Sequence, residues 1–148
     1  QFCLLGFSLG GLLAACVSAR VQHVASMVMI APTTVDNMCR FAASDARSNE
    51  PITMGAHTMH PEFFNDIRKL DPVADVAVHP RPTLLIQGEG DMAVPPSVSQ
   101  AYIDAMNRRN VPLDLIRMPE ANHGFSRPVW QNQLIEGVTS WLTSRTER

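Results

Sequence analysis

Four apolar runs, each closed by turn-forming residues and separated by longer helical patterns, restrict what this chain can fold into more than any other feature. The runs are Phe2–Gly6, Val24–Ile30, Thr83–Gln87 and Leu113–Met118. They have the length of strands, and the two middle ones lack the polar alternation of a sheet with one wetted face. Strands of this kind are covered on both faces, and the helical patterns between them supply the covers. The expectation is an α/β architecture in which βα units build a parallel sheet.

The helical patterns run from about Leu9 to Ala19, Ser97 to Arg109 and Val129 to Ser144. The first is apolar nearly all round, through Leu12, Leu13, Ala15, Cys16 and Val17, which predicts burial on more than one side. The second strand stops at Ala31-Pro32, where proline removes a backbone donor and restricts the residue before it. From there to about Leu70 the pattern is irregular, with a short helix expected near Pro61, because proline suits a first helical turn. A connection of this length predicts a lid or small cap over about residues 35–70. No repeat or linker divides the sequence, so 1–148 is expected to be a single domain.

At 148 residues and 45% hydrophobic content the chain can bury one ordinary core. A net charge of -2 without a basic run gives no electrostatic basis for a nucleic-acid or membrane-surface partner. No apolar stretch approaches the roughly 20 residues that span a bilayer. Cys3, Cys16 and Cys39 are odd in number and lie in apolar sequence, which reads as buried thiols in a reducing, cytoplasmic compartment. Gln1 enters a strand-like run at once, so the chain is expected to be a fragment that starts mid-fold and has lost any targeting segment.

Gly6-Phe7-Ser8-Leu9-Gly10 fits the G-x-S-x-G nucleophile elbow and falls between a strand and a helix, where that motif belongs. A strained turn there holds the serine side chain clear of the backbone, and side chains at Gly6 or Gly10 are expected to collide with the neighbouring helix and strand. Ser8 at a helix N-terminus also aims free N–H groups at a developing oxyanion, with Leu9 N–H as one donor. A serine hydroxyl needs a base, and the base needs an acid to fix its tautomer. Asp91 and His123 each follow a strand, in the chain order Ser, Asp, His. The C-terminal ends of parallel strands lie on one edge, so the three side chains can converge. Glu89 and Glu120 are substitutes for Asp91 on position alone.

From Phe2 to the last helix the chain resembles the C-terminal half of an α/β-hydrolase. The resemblance rests on Leu5-Gly6-Phe7-Ser8-Leu9-Gly10-Gly11, on Gly88-Glu89-Gly90-Asp91-Met92-Ala93-Val94-Pro95 and on Asn122-His123-Gly124-Phe125. These blocks are similar to those of cinnamoyl esterases, dienelactone hydrolases and the catalytic domains of prolyl-oligopeptidase-like peptidases. The resemblance implies a triad of Ser8, Asp91 and His123, Leu9 N–H as oxyanion donor, Asp91 ahead of either glutamate, and no cofactor. It implies hydrolysis of a small-molecule carboxylic ester through a covalent acyl-enzyme; peptidases and thioesterases use the same machinery. A catalytically weak fragment serving as an interaction module is the reading from a different class.

The sequence departs from that family's pattern at its start. Full members carry strands before the elbow, and a loop there supplies the second oxyanion donor; nothing here precedes Phe2 except Gln1. The fold is therefore expected to be truncated at the N-terminus, with its first strand an open edge and the apolar helix short of cover. Such an edge invites pairing, most simply as a homodimer through Phe2–Leu5 or through the helix from Leu9. Phe7, Met54, Met59, Phe63 and Phe64 are candidates for the substrate pocket, since apolar and adaptable side chains suit an acyl group. The alternative for those of the cap is that they fill its core. His57 and His60 near Glu62 hint at a metal ligand set, but no second cluster completes one, and a solvated loop is the better reading.

Overall fold

A computed structural model of the chain describes residues 2–44, 51–54 and 57–146. Strand β1 (Phe2–Phe7) leads into helix α1 (Leu9–Ser18), and β2 (Val24–Ile30) follows. The connection to the next sheet strand carries α2 (Val35–Ser44), the strands β3 (Ile52–Met54) and β4 (His57–Met59), α3 (Pro61–Ile67) and α4 (Pro72–Ala77). Then come β5 (Thr83–Gly88), α5 (Pro96–Arg108), β6 (Leu113–Met118) and α6 (Pro128–Thr146).

The four long strands pair in parallel in the order β1-β2-β5-β6. Their register aligns the C-terminal ends: Phe7 pairs with Ile30, Ile30 with Ile86, and Gly88 with Met118. Every residue that follows a strand end is thereby delivered to one edge. The period-two alternation of a strand divides the core in two. Met27, Met29 and Leu85 face α1, α4 and α5, packing on Ala15, Val76, Tyr102 and Met106. Val28, Ile30, Leu84 and Ile86 face α6 and its two tryptophans, Trp130 and Trp141. The inner strand β5 is buried along its whole length, which explains its unbroken apolar run.

The irregular stretch is more ordered than its sequence suggests. β3 and β4 pair as an antiparallel hairpin, with Ile52 opposite Met59. A small separate core of Met38, Phe64 and Ile67 lies beneath them, with Val35, Ile52, Met59 and Phe63 packed around it. Asp71-Pro72 begins α4, a helix not expected from the sequence: Asp71 Oδ1 accepts from Ala74 N–H at 3.0 Å, a helix N-cap with proline in the first turn.

One expectation is met and one corrected here. Helix α1 is short of cover on one side, as its place beside an open strand suggests: Gly11, Leu12, Ala15 and Cys16 are buried, while Leu13 and Val17 face solvent beside β1, the outer strand of the sheet, and the correction concerns the thiols. Cys3 is exposed for the same reason, whereas Cys16 is buried and its thiol is pushed up to about 11, first by burial and then by Asp75. No helix among the described residues is long and apolar enough to cross a membrane.

Candidate active site

Ser8 sits at the junction of β1 and α1 with φ 54° and ψ -115°, a backbone region that an L residue occupies only under constraint. The constraint is visible. Ser8 N–H donates to the Ile30 carbonyl at 2.9 Å, and Ser8 O accepts from the N–H groups of Gly11 at 3.0 Å and Thr33 at 3.2 Å. Gly6 makes the turn feasible, since a Cβ there would stand 2.1 Å from the Gly10 carbonyl oxygen. The second essential glycine is Gly11 rather than Gly10. A Cβ at Gly11 would meet Pro32 Cβ at 2.9 Å, while one at Gly10 meets nothing within 4 Å. Helix α1 thus packs on the turn after β2 through Gly11, and Gly10 faces open space. Leu9 N–H, at the head of α1, has no intrahelical carbonyl to bond and is free to serve an anion.

Asp91 and His123 arrive on two loops that interlock at the ends of β5 and β6. Gly90 N–H donates to the Ala121 carbonyl at 3.1 Å, and Glu89 N–H to that of Met118 at 2.9 Å. A Cβ at Gly88 would lie 2.3 Å from the Ala121 carbonyl oxygen, and one at Gly90 2.6 Å from that of Glu120. Only glycines let the acid loop and the base loop approach so closely. The base loop is itself tightly bent, with positive φ at Glu120 (60°) and Phe125 (47°). Asn122 braces it by bonding both the N–H and the hydroxyl of Ser126.

The three side chains meet as the chain order Ser, Asp, His anticipates. His123 Nδ1 lies 2.7 Å from Asp91 Oδ2, and His123 Nε2 lies 3.0 Å from Ser8 Oγ. Asp91 is buried, and its other oxygen, Oδ1, accepts from Ala93 N–H at 2.9 Å and Val94 N–H at 2.8 Å. In the tautomer whose Nδ1–H donates to Asp91 Oδ2, Nε2 is left to accept from the serine hydroxyl. That is the geometry by which an imidazole withdraws a proton from an alcohol. Glu89 and Glu120 are exposed, and neither is the carboxylate at His123.

The substrate candidates divide. Phe7 is exposed beside His123, with ring centroids 5.0 Å apart. Phe64 is 2% exposed in the small cap core, so it offers a ligand no surface. Met59 and Phe63 are half-buried around the same core, and the side chain of Met54 lies outside the described residues. A cavity of about 540 Å³ opens beside the cap instead, lined by Thr34, Asp36, Arg40, Arg68, Asp71 and Ser97 among others, and none of the five candidates borders it. No group of three metal-ligating side chains occurs among the described residues. Reading the sequence also passed over Thr33, Asn37 and Tyr102, buried polar residues behind the elbow. A Thr-Thr pair ahead of a helix signals an N-cap, but no local pattern shows what lies across from it.

Comparison with known proteins agrees with this architecture. The model of the prolyl oligopeptidase family matches residues 1–147. The acylamino-acid-releasing enzyme of Arabidopsis thaliana is 25% identical over 139 residues, which are 94% of this chain and 17% of that enzyme. Among solved structures, the esterase domain of a Rhodothermus marinus protein superposes with a TM-score of 0.76 at 16% identity, over 94% of this chain and 59% of that one. Est1E from Butyrivibrio proteoclasticus, solved with ferulic acid bound, gives 0.74 at 16% identity over 97% of this chain and 59% of its own. The chain therefore spans about three fifths of these structures and a far smaller share of the plant enzyme. With a parallel sheet and helices in the order of an α/β-hydrolase, this chain belongs to the prolyl oligopeptidase family.

Proposed function

We propose that the chain acts as a serine hydrolase on carboxylic esters through an acyl-enzyme. Ser8 Oγ attacks the ester carbonyl carbon while His123 Nε2 takes the hydroxyl proton. The C–O bond to the leaving alcohol then breaks, and His123 returns the proton to that alcohol. Water repeats the sequence on the acyl-serine, releasing the acid and regenerating Ser8. Leu9 N–H faces the oxyanion in both halves, and Asp91 holds the imidazole in its working tautomer. The observation that carries this reading is the unbroken series from Asp91 Oδ2 through the imidazole to Ser8 Oγ, at 2.7 and 3.0 Å.

A fluorophosphonate probe tests it, because such probes react with activated serines and spare inert ones. Labelling is expected on Ser8 and absent in Ser8→Ala and His123→Ala, with hydrolysis of a p-nitrophenyl ester lost in parallel. Asp91→Asn is expected to keep somewhat more turnover, since triad members act as a unit and the acid alone contributes least. Full turnover in Ser8→Ala would refute the assignment.

Family membership favours a second reading, in which the same serine cleaves the amide of a blocked amino acid or peptide. Comparing kcat/KM for an acyl-amino-acid p-nitroanilide and a p-nitrophenyl ester on one preparation separates the two.

A further inference from the structure

Behind the elbow lies a buried polar cluster that touches none of the reacting atoms. Asn37, in the first turn of α2, is 5% exposed, and its Nδ2 donates to Thr33 Oγ1 at 3.0 Å and to the Ala93 carbonyl at 3.1 Å. A carbonyl can only accept, so the amide nitrogen must face Ala93. Thr33 is fully buried; its N–H donates to Ser8 O at 3.2 Å, and its carbonyl accepts from Tyr102 Oη at 2.6 Å. On the other side, Ala93 N–H donates to Asp91 Oδ1 at 2.9 Å. A continuous polar path therefore runs from the backbone of Ser8 through Thr33, Asn37 and Ala93 to the carboxylate of Asp91. Gln87 fastens the far side of the acid loop, its Nε2 donating to the Val94 carbonyl at 3.1 Å.

The turn that carries Thr33 does not rest on local preference. Ala31 has φ 42°, a left-handed conformation costly for a residue with a Cβ, and it is followed by Pro32, which donates nothing. Contacts from outside must hold such a turn. The Ile86 carbonyl accepts from Ala31 N–H at 2.8 Å, Asn37 and Tyr102 add side-chain bonds at Thr33, and of these two side chains Asn37 is the one that also bonds the acid loop.

We propose that Asn37 is a positioning residue, whose side-chain amide fixes the elbow of Ser8 relative to the loop of Asp91. The proposal rests on the reading of Ser8 as nucleophile. Its physical content is that the two halves of the triad come from different loops, and that the amide sets the distance between them. A misplacement of about 1 Å costs on the order of 10²-fold in rate.

The test uses Asn37→Asp, which removes both donors without opening a cavity, and Thr33→Val, which removes the acceptor at nearly constant shape. Met38→Ala, one residue along α2 and buried only in the cap core, is the packing control. Kinetics on a p-nitrophenyl ester, rates of fluorophosphonate labelling and amide exchange followed by mass spectrometry are measured on each. In Asn37→Asp and Thr33→Val, kcat and the labelling rate are expected to fall about 10- to 100-fold with KM within about twofold. Exchange is expected to quicken at residue 33 and at 93–94 together. Met38→Ala should lose stability and keep kcat. Wild-type kcat in both clamp variants, or quickened exchange confined to α2, would overturn the proposal. Should the wild-type chain neither label nor turn over, the nucleophile reading fails, and exchange at the two loops alone decides the clamp. If Asn37→Asp does not fold, Thr33→Val carries the test.

Discussion

Phe7 lays its ring against that of His123, with centroids 5.0 Å apart and planes inclined by 31°, and packs edge-to-face with Phe125 at a centroid distance of 6.5 Å. Phe7, the residue before the serine of the elbow, thus walls one side of the imidazole and is itself exposed. Aromatic contacts of this kind contribute about 0.5–1.5 kcal/mol, equivalent to roughly two- to tenfold in rate if all of it restrains the imidazole. Phe7→Ala is expected to lower kcat within that range for a p-nitrophenyl ester. An unchanged kcat would show that the loop holds His123 without help from the ring.

The glycines of the elbow should differ sharply in what they tolerate. At Gly10 nothing lies within 4 Å of an added Cβ, so Gly10→Ala is expected to stabilise helix α1 by about 0.5–1 kcal/mol. Gly6→Ala and Gly88→Ala drive a Cβ into backbone at 2.1 and 2.3 Å and are expected to prevent the native fold or shift the loops apart. Urea unfolding of the three variants checks the order; a destabilised Gly10→Ala would contradict it.

Stability should fall in mild acid on account of His79. Burial lowers its pKa from the ordinary 6.5, a hydrogen bond to the Ser18 backbone opposes this, and Arg81 adds to the lowering. The unfolded chain then binds the proton more readily than the folded one. Stability from this source is full above the unfolded value and is lost as pH drops below it. Urea midpoints measured from about pH 7.5 down to 5.5 should decline, and less steeply in His79→Gln. Parallel slopes in the two proteins would remove His79 as the cause.

The outer strand β1 and the neighbouring helix expose Phe2, Leu5, Leu13 and Val17 together. An open strand edge flanked by apolar side chains favours association, and a two-fold dimer through this face is the expected state of the isolated chain. Light scattering on a sizing column reads the mass directly. Leu13→Arg should shift it toward monomer, and a wild-type monomer at high concentration would dispose of the idea.

The sheet was legible because its inner strands, buried on both faces over Met27–Ile30 and Thr83–Gly88, read as apolar runs without the alternation of a wetted face. Ser8, Asp91 and His123 were legible because each lies just after a strand, β1, β5 and β6 in turn, and parallel register brings those strand ends to one edge. The cap was not. The hairpin of β3 and β4 has strands too short for a periodic signal, and α4 announces itself only through Asp71-Pro72, a pair that also serves turns. Gly10 was misread because the motif names positions, while Gly11 owes its role to Pro32, which is remote in sequence. Asn37 was invisible for the same reason, since its partner Ala93 is 56 residues away.

Ser8 and His123 stand 115 positions apart in the chain, and Asp91 and His123 stand 32 apart. Between the ends of β1 and β6 lie the two inner strands, so the hydroxyl can reach the imidazole only after the whole sheet has closed in register. Contacts of such long sequence separation form late, because loop-closure entropy opposes them until nearer contacts exist. On the proposed reading of Ser8 as nucleophile, labelling of Ser8 is therefore expected only in the fully folded chain, so that a fluorophosphonate would report the end of folding as well as the chemistry.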